Sequence, residues 1–353
     1  MQGNLSCART LTQKALTVNM PSNCDLYDRQ KTTRGPVLQL QRHPLGGGRV
    51  RIVSFLPAAT EMIYLLGLGE DLVGRSHECD FPEEVKLKPV IVDCALDLSS
   101  MTTGQIDVAV STQLAGGKSL YTVDEATLRA AAPNLLVTQN LCQVCGPAGN
   151  EVSQVINAMS DAPKIVWQTP RNFEEMLDAL RTLGKETGTE AKAVEWSAAA
   201  CARIKRISAA AQALPKVRMS FLEWVDPVYC GGHWIPQMLD WAGAEDGNSR
   251  AGADSVRIGW KQVLDYAPEV IVVSPCGFKT HDALAQAASL KARAGWNDLP
   301  AVKNRRVYAV DANAYFARPG PRLVDGVELL AHLAHPEHFS WAGPADAYCA
   351  VTA

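Results

Sequence analysis

The chain has 353 residues, of which 47% are hydrophobic and 20% charged, and its formal net charge is -3. This composition is typical of a soluble globular protein that is long enough for two domains. The small negative charge gives no reason to expect nucleic acid as a partner. No apolar stretch approaches the roughly 20 residues that a membrane-spanning helix needs, so we expect no membrane insertion.

The first 48 residues differ in character from the rest of the chain. They read as irregular and contain no acidic residue before Asp25, whereas Arg9 and Lys14 are present. They also lack the apolar core of a secretory signal. We therefore predict that residues 1–48 are a disordered or targeting extension, with a start at Met20 as the alternative. The same features predict an intracellular protein, in the cytoplasm or an organelle, that is not secreted.

From Val50 onwards, short apolar runs alternate with helical patterns. The run "VRIVSFL" predicts a buried strand, and "PAATEMIYLLGLG" predicts a helix that opens after Pro57 and ends at a glycine. Further along, "TVDEATLRAAAP" predicts a helix with Thr122 as its N-cap, and "NLLVTQ" predicts a strand. Strands that alternate with helices favour an α/β fold with a mainly parallel sheet.

One segment predicts an unusually long helix. Thr189 to Leu214 is rich in alanine, contains no Gly or Pro and stops before Pro215. A helix of about 25 residues would be roughly 37 Å long and would reach across a whole domain. Because such a helix is a stiff strut, we expect the two halves of the protein to move little relative to one another.

The pattern before the long helix returns after it. "VRIVSFL" at 50–56 corresponds to "VRMSFLE" at 217–223, and "APNLLVTQN" at 132–140 to "APEVIVVSP" at 267–275. The first half has a surplus between its matched strands, which we place in 93–122. The repetition predicts two similar lobes with mainly parallel sheets, joined by the long helix, and a ligand cleft between them. The predicted parts are an N-terminal lobe (49–188), a linking helix (189–214), a C-terminal lobe (215–338) and a tail (339–353).

Three stretches carry a family resemblance: "RIVSFLPAATEMIYLLGLGEDLVG", "GHWIPQMLDWAGAED" and "RVYAVDANAYFARPGPRLVDG". From about Arg49 to His338 the chain resembles the helical-backbone (type III) substrate-binding proteins of ABC importers for iron-siderophores and vitamin B12. It is most similar to the cobalamin-binding branch, and within it to a non-exported subgroup with "HECD", "CxxC" and "RPGPRLVDG". The resemblance implies two lobes bridged by one rigid helix. It also implies that cobalamin or another corrinoid binds between them.

The resemblance also defines where an importer protein would dock on its permease. The family uses one glutamate in each lobe, seven residues before the proline of each Ala-Pro-strand unit. Here these positions hold Ala126 and Lys261, and Glu125 is one residue away from the first of them. Since Lys261 reverses the charge, we expect an ABC permease to be an unlikely partner. We assume a monomer.

The loops that follow the predicted strands supply candidate ligand contacts, because parallel α/β lobes bind ligands at the carboxyl ends of their strands. The candidates are Pro57, His77, Glu78, Asp80, Glu223, Trp224, His233, Trp234, Tyr315, Phe316 and Arg318. Flat aromatic side chains suit the face of a corrin ring. Arg318 suits a propionamide, phosphate or carboxylate.

Structural roles compete with these assignments. Trp224 and Trp234 are alternatively core aromatics, and His77 alternatively caps a turn. Arg318 alternatively forms an ion pair with Asp325.

Four cysteines follow predicted strands and are candidate metal ligands: Cys79, Cys142, Cys145 and Cys276. Together with His77 or His233 they would suit zinc or iron, since thiolate and imidazole are the ligands that these metals prefer. A redox-active disulfide between Cys142 and Cys145 is the alternative. We rank it lower, because the following "GP" does not favour the helix start that such pairs use.

Three functions remain open from the sequence. The first is a soluble intracellular binding protein for cobalamin, another corrinoid or a related metal chelate, acting without a permease and without turnover. The second is an enzyme that uses a metal or iron–sulfur centre held by the Cys/His set, although no catalytic residues stand out. The third is an ordinary importer subunit.

Overall fold

The computed structural model describes residues 49–98, 100–139, 156, 159 and 161–352. These residues form two α/β lobes joined by one long helix, so the predicted fold class is confirmed. Cys142 and Cys145 lie outside the described residues.

The N-terminal lobe is built around a six-stranded sheet in the order β4-β3-β2-β1-β5-β6, in which only β4 is antiparallel to its neighbour. Its helices and strands are β1 (Ile52–Ser54), α1 (Pro57–Leu65), β2 (Leu72–Ser76), β3 (Val90–Cys94), α2 (Thr103–Ala115), β4 (Tyr121–Val123), α3 (Glu125–Ala131), β5 (Leu135–Thr138), β6 (Lys164–Trp167) and α4 (Phe173–Glu186). The central strands β1 and β5 are buried at every position, which explains why their sequences are continuous apolar runs.

The linking helix and the C-terminal lobe follow. The elements are α5 (Glu190–Ala211), β7 (Val217–Val225), β8 (Val228–Cys230), α6 (Ile235–Trp241), β9 (Ala244–Glu245), α7 (Trp260–Tyr266), β10 (Val270–Val273), α8 (Thr280–Lys291), α9 (Pro300–Lys303), β11 (Val307–Val310), α10 (Ala312–Tyr315), α11 (Leu323–Ala334) and β12 (Tyr348–Ala350). The sheet order is β12-β11-β10-β7-β8, with β9 paired to β7. The pair β7–β10 in this lobe corresponds to β1–β5 in the other, as the sequence repeat predicts.

Helix α5 is bonded to both lobes. Near its start, Lys192 donates to the carbonyl of Leu66 in the N-terminal lobe (3.0 Å). Further along, Arg203 contacts Asp325 (2.7 Å) and Glu328 (2.8 Å) on α11. The helix has 22 residues, which corresponds to about 33 Å. It is therefore three to four residues shorter than predicted but has the predicted position between the lobes.

Two local predictions need correction. The N-cap of α3 is Asp124, whose carboxylate accepts from the Thr127 amide (3.0 Å), whereas Thr122 lies within β4. The segment predicted as a tail is part of the C-terminal lobe, because β12 pairs antiparallel with β11. The surplus segment 93–122 supplies α2 and most of β4. No helix among the described residues is long and apolar enough to span a membrane.

We expect Gly184→Val to destabilise the protein by about 1–3 kcal/mol, through overpacking between α4 and α5. A Cβ at Gly184 would lie 2.9 Å from the Cβ of Ala193 and 3.2 Å from the Cα of Glu190. Urea unfolding measures the effect. The matched control is Thr182→Val on the exposed side of α4, which should change the free energy of unfolding by less than about 0.5 kcal/mol. Equal effects of the two substitutions would contradict this account.

Candidate functional site

Charged side chains from the two lobes meet where β2 and β11 lead into their loops. The guanidinium of Arg318 lies 2.5 Å from Asp80 Oδ1 and donates to the carbonyl of Glu78 (2.9 Å), although its side chain is only 9% exposed. Lys279 Nζ lies 3.8 Å from Asp80 Oδ2. The alternative pairing of Arg318 with Asp325 is not formed, because Asp325 pairs with the linking helix. This is a charge-assisted contact between lobes, not within one.

The protonation of this cluster follows from its contacts. Burial opposes ionisation of Asp80, but the charge and hydrogen bond of Arg318 lower the pKa of its carboxyl below the usual value. The pKa of Glu78 is lowered by its hydrogen bond with His77 and by Arg318. Burial opposes protonation of His77, yet its bond to Glu78 raises its pKa overall. The loop 77–80 is thus an acidic surface that faces basic side chains of the other lobe.

A second ion pair joins the lobes and was not predicted from the sequence. Arg322 Nη2 lies 2.5 Å from Glu61 Oε1, and its Nε lies 3.0 Å from Oε2, so the pair is bidentate. The Glu61 side chain is 5% exposed, and burial raises its pKa while Arg322 counteracts this. Arg322 also covers the ring of Phe81 at 4.2 Å. The sequence does contain an indication of this pair, because Glu61 is an acidic residue inside the apolar run "AATEMIYLL".

The beginning of α1 packs directly against the loop that carries both arginines. Pro57 is the first residue of α1, and a Cβ on Gly320 would lie 3.4 Å from the Cα of Ala58. The predicted contact residue Pro57 is therefore close to the inter-lobe surface.

A third inter-lobe contact involves α2 and Trp224. The Trp224 indole N–H donates to the carbonyl of Thr103 (3.2 Å), and Arg257 Nη2 lies 3.2 Å from Asp107 Oδ2. The Trp224 ring meets Phe278 edge to face at 5.7 Å. Trp224 is therefore at the inter-lobe surface, and its indole N–H is shared between the Thr103 carbonyl of α2 and the Asp226 carbonyl of its own lobe (3.1 Å).

His233 lies at a fourth inter-lobe contact. Its Nε2 lies 3.2 Å from Asp254 Oδ1, and the same carboxylate oxygen lies 3.3 Å from Arg171 of the other lobe. Burial lowers the pKa of His233, and Asp254 offsets part of this. Its backbone φ is +51°, and the preceding Gly232 could not be replaced, since a Cβ there would be 2.3 Å from the Ser255 amide. The strained turn places the imidazole beside the lobe junction.

Three predicted contacts lie inside the C-terminal lobe instead. Trp234 is 6% exposed and its indole donates to the carbonyl of Phe316 (2.7 Å). Phe316 is 2% exposed and packs against Phe221. Tyr315 is 7% exposed and meets Trp341 edge to face. This placement corrects the prediction: these rings bury apolar surface in the core, and the alternative reading of Trp234 as a core aromatic fits better.

The predicted ligand contact Glu223 is bonded within its own lobe. Its carboxylate accepts from the amide of Gly232 (2.9 Å) and from the hydroxyl of Ser255. Burial raises the pKa of Glu223, and these hydrogen bonds partly offset the shift. The side chain therefore organises the turn that carries His233.

The metal prediction does not gain support from the described residues. Cys79 is 1% exposed, its sulfur accepts from Thr60 Oγ1 (3.1 Å), and burial raises its pKa to about 11. Burial therefore favours the protonated thiol in the metal-free protein, and a metal would have to displace that proton. Cys276 is exposed. Among the described residues no three His, Cys, Asp or Glu side chains are arranged to hold a metal ion. Cys142 and Cys145 lie outside them.

Comparison with known proteins explains the two-lobed arrangement. Residues 52–314 match the periplasmic binding protein family. The chain belongs to this family. It is a family of binding proteins, which agrees with the expectation of a binding function.

Individual relatives span most of the chain. An uncharacterized ABC transporter substrate-binding lipoprotein of Bacillus subtilis is 29% identical over 82% of this chain and 81% of its own. A vitamin B12-binding protein of Vibrio vulnificus is 24% identical over 82% and 90% of the two chains. The crystal structure of a periplasmic heme-binding protein of Pseudomonas aeruginosa has a TM-score of 0.62 at 19% identity, covering 82% of this chain and 93% of that one.

These relatives overturn three predictions. A transporter lipoprotein and a periplasmic protein are not intracellular, so the predicted intracellular location is wrong. The predicted function outside an importer, and the expectation that an ABC permease is an unlikely partner, are also wrong, because the relatives include a substrate-binding protein of an ABC transporter. The argument against a permease considered the charge of two docking positions without the side chains beside them. Lys261 is exposed and lies 2.6 Å from Asp265 Oδ2, so an acidic group lies beside it, and Glu125 is exposed on α3, where it pairs with Arg129 (2.8 Å).

We expect Arg322→Ala to destabilise the protein by about 3–5 kcal/mol, because it leaves the buried Glu61 carboxylate without its partner. Removing both charges in Glu61→Gln/Arg322→Met should cost less than the single substitution. Chemical denaturation provides the measurement. Lys86→Ala, which removes an exposed ion pair with Glu83, should change stability by less than about 1 kcal/mol. A double variant as unstable as Arg322→Ala would refute the role of charge burial.

The acidic loop also predicts a dependence on pH. Because the pKa values of Asp80 and Glu78 are lowered in the folded protein, their contribution to stability is complete above the ordinary value of about 4 and is lost as the pH falls through the lowered values. Asp80→Asn should therefore reduce the decline in the free energy of unfolding between pH 6 and pH 3. Asp178→Asn, on the exposed side of α4, is the control. An unchanged acid profile in Asp80→Asn would refute the assignment.

Proposed function

We propose that this chain is the substrate-binding subunit of an ABC importer and that it holds a corrinoid, or a comparable metal-macrocycle chelate, between its lobes. Sequence relatives over more than four fifths of the chain support the importer role. Relatives named for vitamin B12 and for heme support a macrocycle as the ligand class.

The observation that carries the proposal is the arrangement of side chains at the lobe junction. Arg318 and Lys279 of the C-terminal lobe reach the loop 77–80 of the other lobe. Nearby strand ends in the same lobe place Trp224 against Phe278. Cationic groups recognise carboxylate, amide or phosphate substituents, and aromatic rings suit the flat face of a macrocycle. Amide and phosphate substituents of this kind surround the edge of a corrinoid.

Titration of the purified protein with cyanocobalamin, and separately with hemin, tests the ligand class. We expect saturable quenching of tryptophan fluorescence with one site per chain. Arg318→Ala should weaken the affinity at least tenfold, because it removes a buried cation from the lobe junction. Arg181→Ala on α4 is the matched control and should bind normally. The proposal would be contradicted if neither ligand bound, or if the unmodified protein, Arg318→Ala and Arg181→Ala bound with equal affinity.

The importer role needs a separate test. The protein should be recovered together with an ABC permease from detergent-solubilised membranes of its natural source after chemical cross-linking. The same experiment with the charge-reversed pair Glu125→Lys/Asp265→Lys is expected to reduce recovery. Absence of any transporter subunit among the cross-linked partners would count against the importer role but not against ligand binding.

A further inference from the structure

Helix α2 belongs to the segment that the N-terminal lobe has in addition to the repeat. The helix has 13 residues, of which only Thr103 is fully buried. It is nevertheless locally stable, because the Thr102 side chain accepts from the Gln105 amide while the Gln105 side chain accepts from the Thr102 amide (2.8 Å). Helix α2 is thus well formed but weakly packed.

Among the described residues, two side-chain contacts attach the first two turns of α2 to the other lobe. They are the hydrogen bond from Trp224 to the Thr103 carbonyl and the ion pair between Asp107 and Arg257. Arg257 is 60% exposed, and exposed ion pairs contribute little to stability. The first two turns of α2 are therefore attached by contacts that can break without unfolding either lobe.

The two lobes themselves are attached much more firmly. The bidentate pair Glu61–Arg322 is buried, and α5 is bonded to both lobes.

At the far end of α2, Gly116 and Gly117 follow the last turn, and Gly117 has a φ of +66° with open space around it. A pair of glycines at this position permits the backbone to rotate.

One face of α2 is apolar and open. Met101, Gly104, Gln105, Val108 and Ala109 line a hollow of about 350 Å³. Val108 is 64% exposed. This face adjoins the contact with Trp224, since Gly104 lies beside Asp226 and Thr103 accepts from the Trp224 indole. Gly104 therefore borders both the hollow and the contact with the other lobe.

We propose that α2 is a lid over the site between the lobes. It opens when the Trp224–Thr103 and Arg257–Asp107 contacts break while the lobes stay together, and its apolar face contacts the ligand when it closes. Only the identity of that ligand rests on the proposed function. The apolar face would cover the hydrocarbon edge of a macrocycle, while Arg318 and Lys279 meet its polar substituents.

A disulfide that locks the lid tests this directly. A Cβ at Gly104 would lie 3.6 Å from Asp226 Cγ, so Gly104→Cys/Asp226→Cys places two thiols within reach of each other. After oxidation, confirmed by mass spectrometry, stopped-flow association and dissociation rates of cyanocobalamin or hemin should fall at least tenfold. Reduction should restore them. The two single variants, treated with the same oxidant, are the controls. Equal rates in the oxidised and reduced double variant would overturn the lid.

Hydrogen exchange without ligand separates the lid from the proposed function. Amides of α2 should exchange faster than those of α1 and α5, and faster still in Arg257→Ala than in the control Lys86→Ala. The lid would be overturned if α2 exchanged as slowly as α5. It would also be overturned if Arg257→Ala raised the exchange rates of α1 and α11 as much as that of α2, because this would mean that the lobes separate. Absence of macrocycle binding with fast α2 exchange would refute only the proposed ligand.

Discussion

The buried ion pair between Glu61 and Arg322 is the constraint on which the relation of the lobes depends. A carboxylate without a partner at 5% exposure would be strongly unfavourable. Helix α1 and the loop before α11 therefore have to remain together. That contact in turn places Arg318 against the loop 77–80, because both arginines belong to one short turn that packs on the start of α1. The site between the lobes is organised by an interaction that does not itself need a ligand.

Much of the fold could be predicted, because its determinants are local. The central strands are continuous apolar runs, and α5 has no helix-breaking residue between its ends. The repeat of strand patterns was sufficient to predict two lobes. The short strand β12 escaped prediction because it has only three residues, two of them exposed, and only pairing with β11 makes them a strand.

The site was predictable only at the level of loops. Strand ends indicated the segments around residues 77–80 and 318, which meet between the lobes, but not which side chains turn inward. Trp234 and Phe316 lie in the same kind of loop as Trp224, yet they contact each other in the core. Glu61 and Arg322 are 261 positions apart, so no local pattern connects them. The prediction about the permease failed for a related reason: it judged a large surface by two positions and ignored their neighbours.

The short strand β12 matters for how copies of this protein behave beside one another. A sheet edge with unpaired amide and carbonyl groups can recruit a strand from another molecule and so begin aggregation. Here the C-terminal residues Tyr348–Ala350 cover the edge of β11, and Thr280 anchors the segment through the carbonyl of Asp346 (2.6 Å). The new edge is only three residues long, which leaves little for a neighbouring chain to extend. Strand β12 thus covers one sheet edge of the lobe that carries both inter-lobe arginines.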